Sequence, residues 1–184
     1  MKFKNILTKS TLVLLIVVGV SSCSKDEDSP IPESTIPESV DLQSGSYDYM
    51  FNTGQVSPGF SYVGSHSNTL SATILLEEQP GGMTKVTVTL KNTISGETYN
   101  VHSHDAADAT TTPNGTPYNE SPNSNVFIQQ IMGNGSSASG FQMSTKTLLE
   151  LTTVYDGFLV VHDPLQNINV VDPTTFVILG IFAR

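Results

Sequence analysis

The feature that most constrains the fold is a period-two alternation of apolar and polar residues in short runs. In KVTVTLK, residues 85–91, the two valines and Leu90 fall on one face of an extended strand and the threonines fall on the other. Such a strand is half-buried and typical of antiparallel sheets. The preceding run TLSATILLEE is separated from it by QPGG, residues 79–82, which predicts a hairpin turn.

Similar runs recur along the chain, and no segment shows the spacing of an amphipathic helix. We predict nine strands: Tyr47–Asn52, Phe60–Val63, Leu70–Glu77, Lys85–Lys91, Thr98–His104, Val126–Ile131, Gly140–Ser144, Phe158–His162 and Phe176–Ala183. The chain from residue 43 onward is long enough for one core and one domain. We therefore expect an all-β domain over residues 43–184, a Greek-key β-sandwich or flattened barrel of immunoglobulin-like type.

Residues 1–22 have the pattern of a signal peptide. Lysines at positions 2, 4 and 9 precede an apolar run that is too short to span a bilayer, and VSSC follows it. The residues before Cys23 resemble the lipobox of bacterial lipoproteins, which implies lipidation of Cys23 and attachment to a membrane. As the sole cysteine, Cys23 cannot form an intrachain disulfide. An ordinary signal peptide with an incidental cysteine is the alternative.

Residues 23–42 are expected to form a disordered tether behind the lipidated cysteine. The segment is rich in Pro, Ser and acidic residues and lacks the spaced apolar residues of a core. Its cluster KDED, residues 25–28, resembles an export signal that takes some Gram-negative lipoproteins to the outer face of the outer membrane; a solvated spacer is the alternative. We therefore expect a location in the cell envelope, anchored to the outer membrane. The sequence does not decide on which face of the outer membrane the protein lies.

The charge of the chain argues against nucleic acid as a partner. Removing residues 1–22 deletes three of the eight cationic residues and none of the seventeen acidic ones, which leaves a net charge of −12. Such a surface repels a polyanion.

The histidines are the candidate site residues. His102 and His104 lie in YNVHSHDAAD, and in a strand they point to the same face about 7 Å apart, which suits metal chelation. His162 ends the apolar run in DGFLVVHDP, where a buried polar side chain needs a partner. Polar residues on a solvated strand face, and a His162 that faces water, are the alternatives.

A long stretch without periodicity follows His104. Residues 105–125 contain three prolines and no aliphatic residue larger than Ala. Loops of this length in a compact domain are usually functional or disordered. We therefore expect an irregular loop beside the histidine pair.

The order of these motifs resembles the copper/zinc superoxide dismutase family. TVTLKN, NVHSHDAAD, GNGSSASGFQMS, LVVH and the closing TTFVILGIFAR follow that family's order over residues 69–184. The resemblance implies that His102, His104 and His162 are copper ligands, and that Asp108 matches the family's aspartate. A looser resemblance is to the CHRD module, a related β-sandwich whose histidines have no known catalytic role.

Departures from the family pattern narrow this expectation. No histidine lies between His104 and His162, so a zinc site is not expected. The family's disulfide cannot form with a single cysteine, and no basic residue lies around Pro173, where the family has its guiding arginine.

Further candidates surround the three histidines. Asp105 and Asp108 are the nearest groups that could orient the ligands, with a role as turn residues as the alternative. His66, in YVGSHSNTL, is a fourth candidate ligand, with an exposed loop position as the alternative.

Two functions follow from these expectations. Three imidazoles suit copper or zinc, and the resemblance favours copper. The first function is that of a copper-only enzyme that dismutates superoxide, a small oxidant. The second is that of a non-catalytic CHRD-like binding or scaffold module, or of a lipoprotein that sequesters metal. The oligomeric state is not predicted.

Overall fold

The computed structural model describes residues 41–184, which form nine strands. The predicted signal peptide at 1–22, the lipidation at Cys23 and nearly all of the tether at 23–42 lie outside the described residues. In the described part, no helix has the length and apolar character needed to cross a membrane. The strands are β1 Ser44–Tyr49, β2 Ser71–Glu78, β3 Thr84–Lys91, β4 Thr98–Ala106, β5 Tyr118–Pro122, β6 Ile128–Met132, β7 Ser137–Ser144, β8 Gly157–His162 and β9 Phe176–Ile181.

The strands form two antiparallel sheets. The first sheet has the order β1-β2-β3-β7, and the second has the order β5-β4-β8-β9, with β6 also paired to β4. Strand β6 pairs with the first half of β4, up to His102, whereas β5 pairs with its end, at His104 and Ala106. The predicted all-β sandwich is confirmed, and the strands of residues 41–184 do not close into a barrel.

The hairpin between β2 and β3 follows the predicted alternation. The two strands pair from Ser71 with Lys91 to Glu78 with Thr84. The turn contains Gly81 and Gly82 at φ angles of 91° and 82°, a left-handed conformation that residues with a Cβ rarely adopt. The valines and Leu90 of β3 are fully buried between the sheets.

Apolar side chains cover both faces of the second sheet. The main core lies between the sheets and includes Leu159 and Val161 of β8. A smaller cluster on the outer face contains Phe158 and Val160, so every residue of β8 is buried. Because side chains alternate along a strand, His162 continues the outer series of Phe158 and Val160.

Two sequence predictions of local structure are wrong. The strand predicted at Phe60–Val63 does not form, because Pro58 begins a 3-10 turn that ends at Phe60. The predicted irregular loop at 105–125 contains strand β5, which pairs with the end of β4. The structure also has one π-helical turn, Glu150–Val154, where no helix was predicted.

Candidate metal centre

The outer face of the second sheet brings three of the four histidines together. Strand β4 pairs with β8 so that His102 lies opposite Val160 and His104 opposite Phe158, and His162 follows two residues after Val160 on the same face. The ring centroid of His102 is 4.8 Å from that of His104 and 4.8 Å from that of His162. The exposed fractions of His102, His104 and His162 are 6%, 0% and 2%.

The ring nitrogens of these histidines face one another. Nδ1 of His102 lies 2.8 Å from Nε2 of His104. Nδ1 of His104 lies 2.5 Å from the main-chain oxygen of Asn119. Because a carbonyl only accepts hydrogen bonds, Nδ1 of His104 carries the proton, and Nε2 of the neutral ring accepts a hydrogen bond from Nδ1–H of His102. Nε2 of His162 is buried and has no hydrogen-bond partner in the described part of the chain.

Burial keeps these imidazoles uncharged. Burial, aided by the neighbouring His162 and His104, lowers the pKa of His102 to about 3. Burial, aided by His104, lowers the pKa of His162 to about 4. Burial also lowers the pKa of His104, against the opposing effect of the Asn119 carbonyl. All three rings are therefore neutral near pH 7, the form that binds metal ions.

The donor atoms fit a transition-metal ion in part. The nitrogens of His102 and His104 are 2.8 Å apart, which is a hydrogen bond and is also close enough for both to bind one ion. The unpartnered nitrogen of His162 is a third donor of the right type. The side chains as they stand do not form a complete site: within residues 41–184, no group of three or more His, Cys, Asp or Glu could hold one ion.

Two aromatic residues shield the cluster. The ring of Phe176 is 4.7 Å from that of His162 in an edge-to-face arrangement, and the ring of Tyr118 is 5.2 Å from that of His104. Neither ring was predicted from the sequence as part of the site, nor was the carbonyl of Asn119. A carbonyl that any residue carries gives no signal in a sequence, whereas an apolar residue at the start of the closing strand could have indicated Phe176.

The two candidate aspartates have other partners. Asp105 accepts a hydrogen bond of 2.6 Å from the side-chain amide of Asn123. Asp108 accepts hydrogen bonds from the main-chain N–H and the hydroxyl of Thr110, at 2.9 and 2.8 Å. In the described part, the rings are therefore hydrogen-bonded by the Asn119 carbonyl and by the contact between His102 and His104, and not by either aspartate.

The structure does not bring His66 to the other three histidines. Its Nε2 lies 2.8 Å from the hydroxyl of Tyr99, and its Nδ1 lies 2.8 Å from the main-chain oxygen of Ser67. Tyr99 belongs to the core between the sheets, on the face of β4 opposite His102. His66 is 6% exposed, so it is a buried residue with two bonded ring nitrogens and not an exposed loop residue.

The basic residues of the described part lie away from the cluster. They are Lys85, Lys91, Lys146 and Arg184. Lys85 lies 3.1 Å from Glu77 on the first sheet, and Arg184 lies 3.6 Å from Asp156. Pro173, at the position compared with the guiding arginine, is buried in a 3-10 turn before β9. The described residues thus offer no cation beside the histidines.

Solvent reaches the cluster through an open groove of about 540 Å³ at His102. The groove extends over the outer face of β4 and β6. The groove leaves the side of the cluster at His102 open to solvent. Comparison with protein-family models, with curated proteins and with solved structures finds no match for this chain.

Proposed function

We propose that this chain is a superoxide dismutase-like protein that binds copper through His102, His104 and His162. The observation that carries the proposal is the buried Nε2 of His162, which has no partner although it neighbours a nitrogen pair 2.8 Å apart. A buried polar atom without a hydrogen bond costs about 1–3 kcal/mol. Coordination of an ion would satisfy that nitrogen and would replace the hydrogen bond between His102 and His104.

The resemblance of the motifs to the copper/zinc superoxide dismutase family favours copper over zinc. The 2.8 Å contact between the ring nitrogens of His102 and His104 is a hydrogen bond in the metal-free chain and fits either metal. His162 completes the proposed ligand set.

The residues of the chain have defined tasks in this proposal. Bound copper supplies a one-electron redox couple. The Asn119 carbonyl holds the ring of His104 in the tautomer that directs Nε2 inward, as partners of metal-bound histidines commonly do. Phe176 and Tyr118 exclude water from the inner side, and the groove at His102 admits a small oxidant such as superoxide.

A second candidate function is metal sequestration without turnover. In the described part, no basic residue lines the groove beside His102, which favours this function. Without a nearby cation, an anionic substrate such as superoxide is not attracted to the site. Residues 41–184 carry twelve acidic against four basic side chains, which also disfavours capture of an anion. A CHRD-like scaffold role would use the same fold without the ion.

The proposed location is the cell envelope. Lipidation of Cys23 would anchor the protein to the outer membrane, and the segment at 24–42 would hold the domain away from the lipid surface. The support is the sequence pattern of residues 1–28. Labelling of cells with a fatty-acid analogue, with Cys23→Ala as the control, tests the anchor.

Copper(II) titration of the full chain in detergent tests the metal site. We expect one tight site whose electron paramagnetic resonance spectrum shows nitrogen hyperfine structure, lost in His102→Ala and in His162→Ala. His66→Gln is the matched control and should keep the site, because His66 bonds to Tyr99 and Ser67 instead. Binding that ignores both alanine substitutions would overturn the proposal. A superoxide assay of the loaded protein then separates turnover from sequestration.

A further inference from the structure

The groove at His102 is larger than a diatomic oxidant requires. Its volume of about 540 Å³ falls within the range of sites that hold small organic molecules. It lies on the outer face of β4 and β6, where Asn100 pairs with Gln130 and His102 pairs with Ile128. A ligand in the groove would therefore lie along these two strands, with one end beside His102.

The floor of the groove carries an amide pair. The side-chain N–H of Gln130 donates to the side-chain oxygen of Asn100 at 3.0 Å. This bond leaves the Asn100 amide N–H groups and the Gln130 side-chain oxygen without a protein partner among the described residues. The two side chains thus present a donor and an acceptor next to each other, a pattern that a carboxamide complements.

The walls of the groove are apolar. Ile128 and Ile168 are 44% and 58% exposed and line the groove together with Pro122. A ligand that covers these exposed isoleucines removes apolar surface from water, which favours binding. Among the described residues, no charged side chain lines the groove.

The loop that carries Ile168 is held in place by a buried carboxylate. Asp163 accepts hydrogen bonds from the main-chain N–H of Leu165 at 2.9 Å, from the hydroxyl of Tyr62 at 2.5 Å and from the side-chain amide of Gln166 at 2.9 Å. These bonds fix residues 163–166, at the start of the loop that carries Ile168, and so reduce the conformational entropy that the loop loses when a ligand binds.

We propose that this groove binds an uncharged small molecule with a carboxamide group and an apolar body. The carboxamide pairs with Asn100 and Gln130, and the body covers Ile128 and Ile168. An anion of the same shape is excluded because it would lose its hydration without meeting a cation. This site goes beyond the proposed copper function. His102 lines the groove and is also a proposed copper ligand, but the groove needs no metal to bind its ligand.

Benzamide and benzoate provide a matched pair of probes, since they share a shape and differ in charge. In an NMR titration of the metal-free full chain in detergent, benzamide should shift the side-chain amide signals of Asn100 and Gln130 and the methyl signals of Ile128 and Ile168. We expect saturation at millimolar concentrations and at least tenfold weaker binding of benzoate. Thr89→Val, on the outer face of the first sheet, is the control that should change neither result.

Variants of Gln130 decide the outcome. Gln130→Leu removes the acceptor and should weaken benzamide at least threefold, and Gln130→Lys should reverse the preference in favour of benzoate. Equal binding of the two probes, no shifts up to the solubility limit, or benzamide binding unaffected by Gln130→Leu would each overturn the proposal. The probe titration contains no metal. If the copper site fails its test, the benzamide proposal is therefore unaffected, and if the benzamide proposal fails, the copper proposal is unaffected.

Discussion

Nδ1 of His104 lies 2.5 Å from the main-chain oxygen of Asn119, a residue 15 positions farther along the chain. The contact joins the strand that carries the histidine pair to strand β5. It also decides which nitrogen of His104 is free, because only a protonated Nδ1 can donate to a carbonyl.

The first prediction concerns this tautomer. In the metal-free protein at pH 7, long-range proton–nitrogen NMR spectra should show Nδ1 of His104 protonated and Nε2 unprotonated. The reason is that the carbonyl accepts from Nδ1 and that burial keeps the ring neutral by lowering its pKa. A protonated Nε2 in these spectra would contradict the assigned orientation of the ring.

The second prediction concerns the unpartnered nitrogen of His162. His162→Leu should raise the free energy of unfolding of the metal-free protein by about 1–3 kcal/mol, because it replaces a buried atom that lacks a hydrogen bond with apolar surface. Urea unfolding in the presence of a chelator measures the change. A lower free energy of unfolding would mean that Nε2 has a partner that the substitution removes.

The third prediction has the opposite sign and serves as the control. His66→Leu should lower the free energy of unfolding by about 1–3 kcal/mol, because both ring nitrogens are hydrogen-bonded, to Tyr99 and to Ser67. The two leucine variants remove the same chemical group from two buried positions. If both shifted stability in the same direction, the state of hydrogen bonding would not be what distinguishes the two histidines.

Much of the sheet structure could be predicted from the sequence, because alternation and apolar runs report burial directly. The runs at Lys85–Lys91 and Phe158–His162 became β3 and β8 within a residue at each end. Strand β5 could not be found in this way, since Tyr118 is its one fully buried residue and the rest of YNESP is polar. The strand predicted at Phe60–Val63 was wrong because Pro58 starts a 3-10 turn there.

The candidate site could be predicted only as far as strand geometry reaches. Side-chain alternation places His102 and His104 on one face, and the same rule places His162 with Val160. The pairing of β4 with β8 places the three histidines side by side on one face of the sheet. This pairing depends on the tertiary fold. The positions of the Asn119 carbonyl and of the Phe176 ring depend on the tertiary fold as well. The sequence therefore indicated Asp105 and Asp108, which are close to His104 along the chain, as the groups that orient the rings.

The fourth prediction concerns Asn52, which follows strand β1 and is hydrogen-bonded through its side chain to Phe176, the first residue of β9. Asn52 is 1% exposed, and its side-chain amide donates to the main-chain oxygens of Phe60 at 2.8 Å and Phe176 at 3.1 Å. Asn52→Ala should lower the free energy of unfolding by about 2–4 kcal/mol. Because Phe176 packs against His162, the variant should also weaken copper binding, whereas Thr89→Val, which removes only the exposed hydrogen bond to Ser139, should leave copper binding unchanged. Urea unfolding and copper titration of the same samples check both parts.

The last prediction is a pH dependence of stability in the metal-free protein. The pKa values of His102 and His162 are about 3 and about 4 in the folded chain, against an ordinary value of 6.5. Below about pH 6.5 the unfolded chain therefore binds more protons than the folded chain, and the free energy of unfolding should fall as the pH falls. Each of the two histidines contributes a slope of up to about 1.4 kcal/mol per pH unit.

The window from pH 6.5 to 5 separates this effect from the titration of carboxylates, which dominates at lower pH. Urea unfolding at half-unit steps across the window measures the slope. His162→Leu should reduce it, because one of the buried histidines that titrate is gone, while Thr89→Val should leave it unchanged. A free energy of unfolding that stays flat from pH 6.5 to 5 in the wild-type protein would mean that the histidines bind protons equally well in the folded and the unfolded chain, and that burial does not lower their pKa.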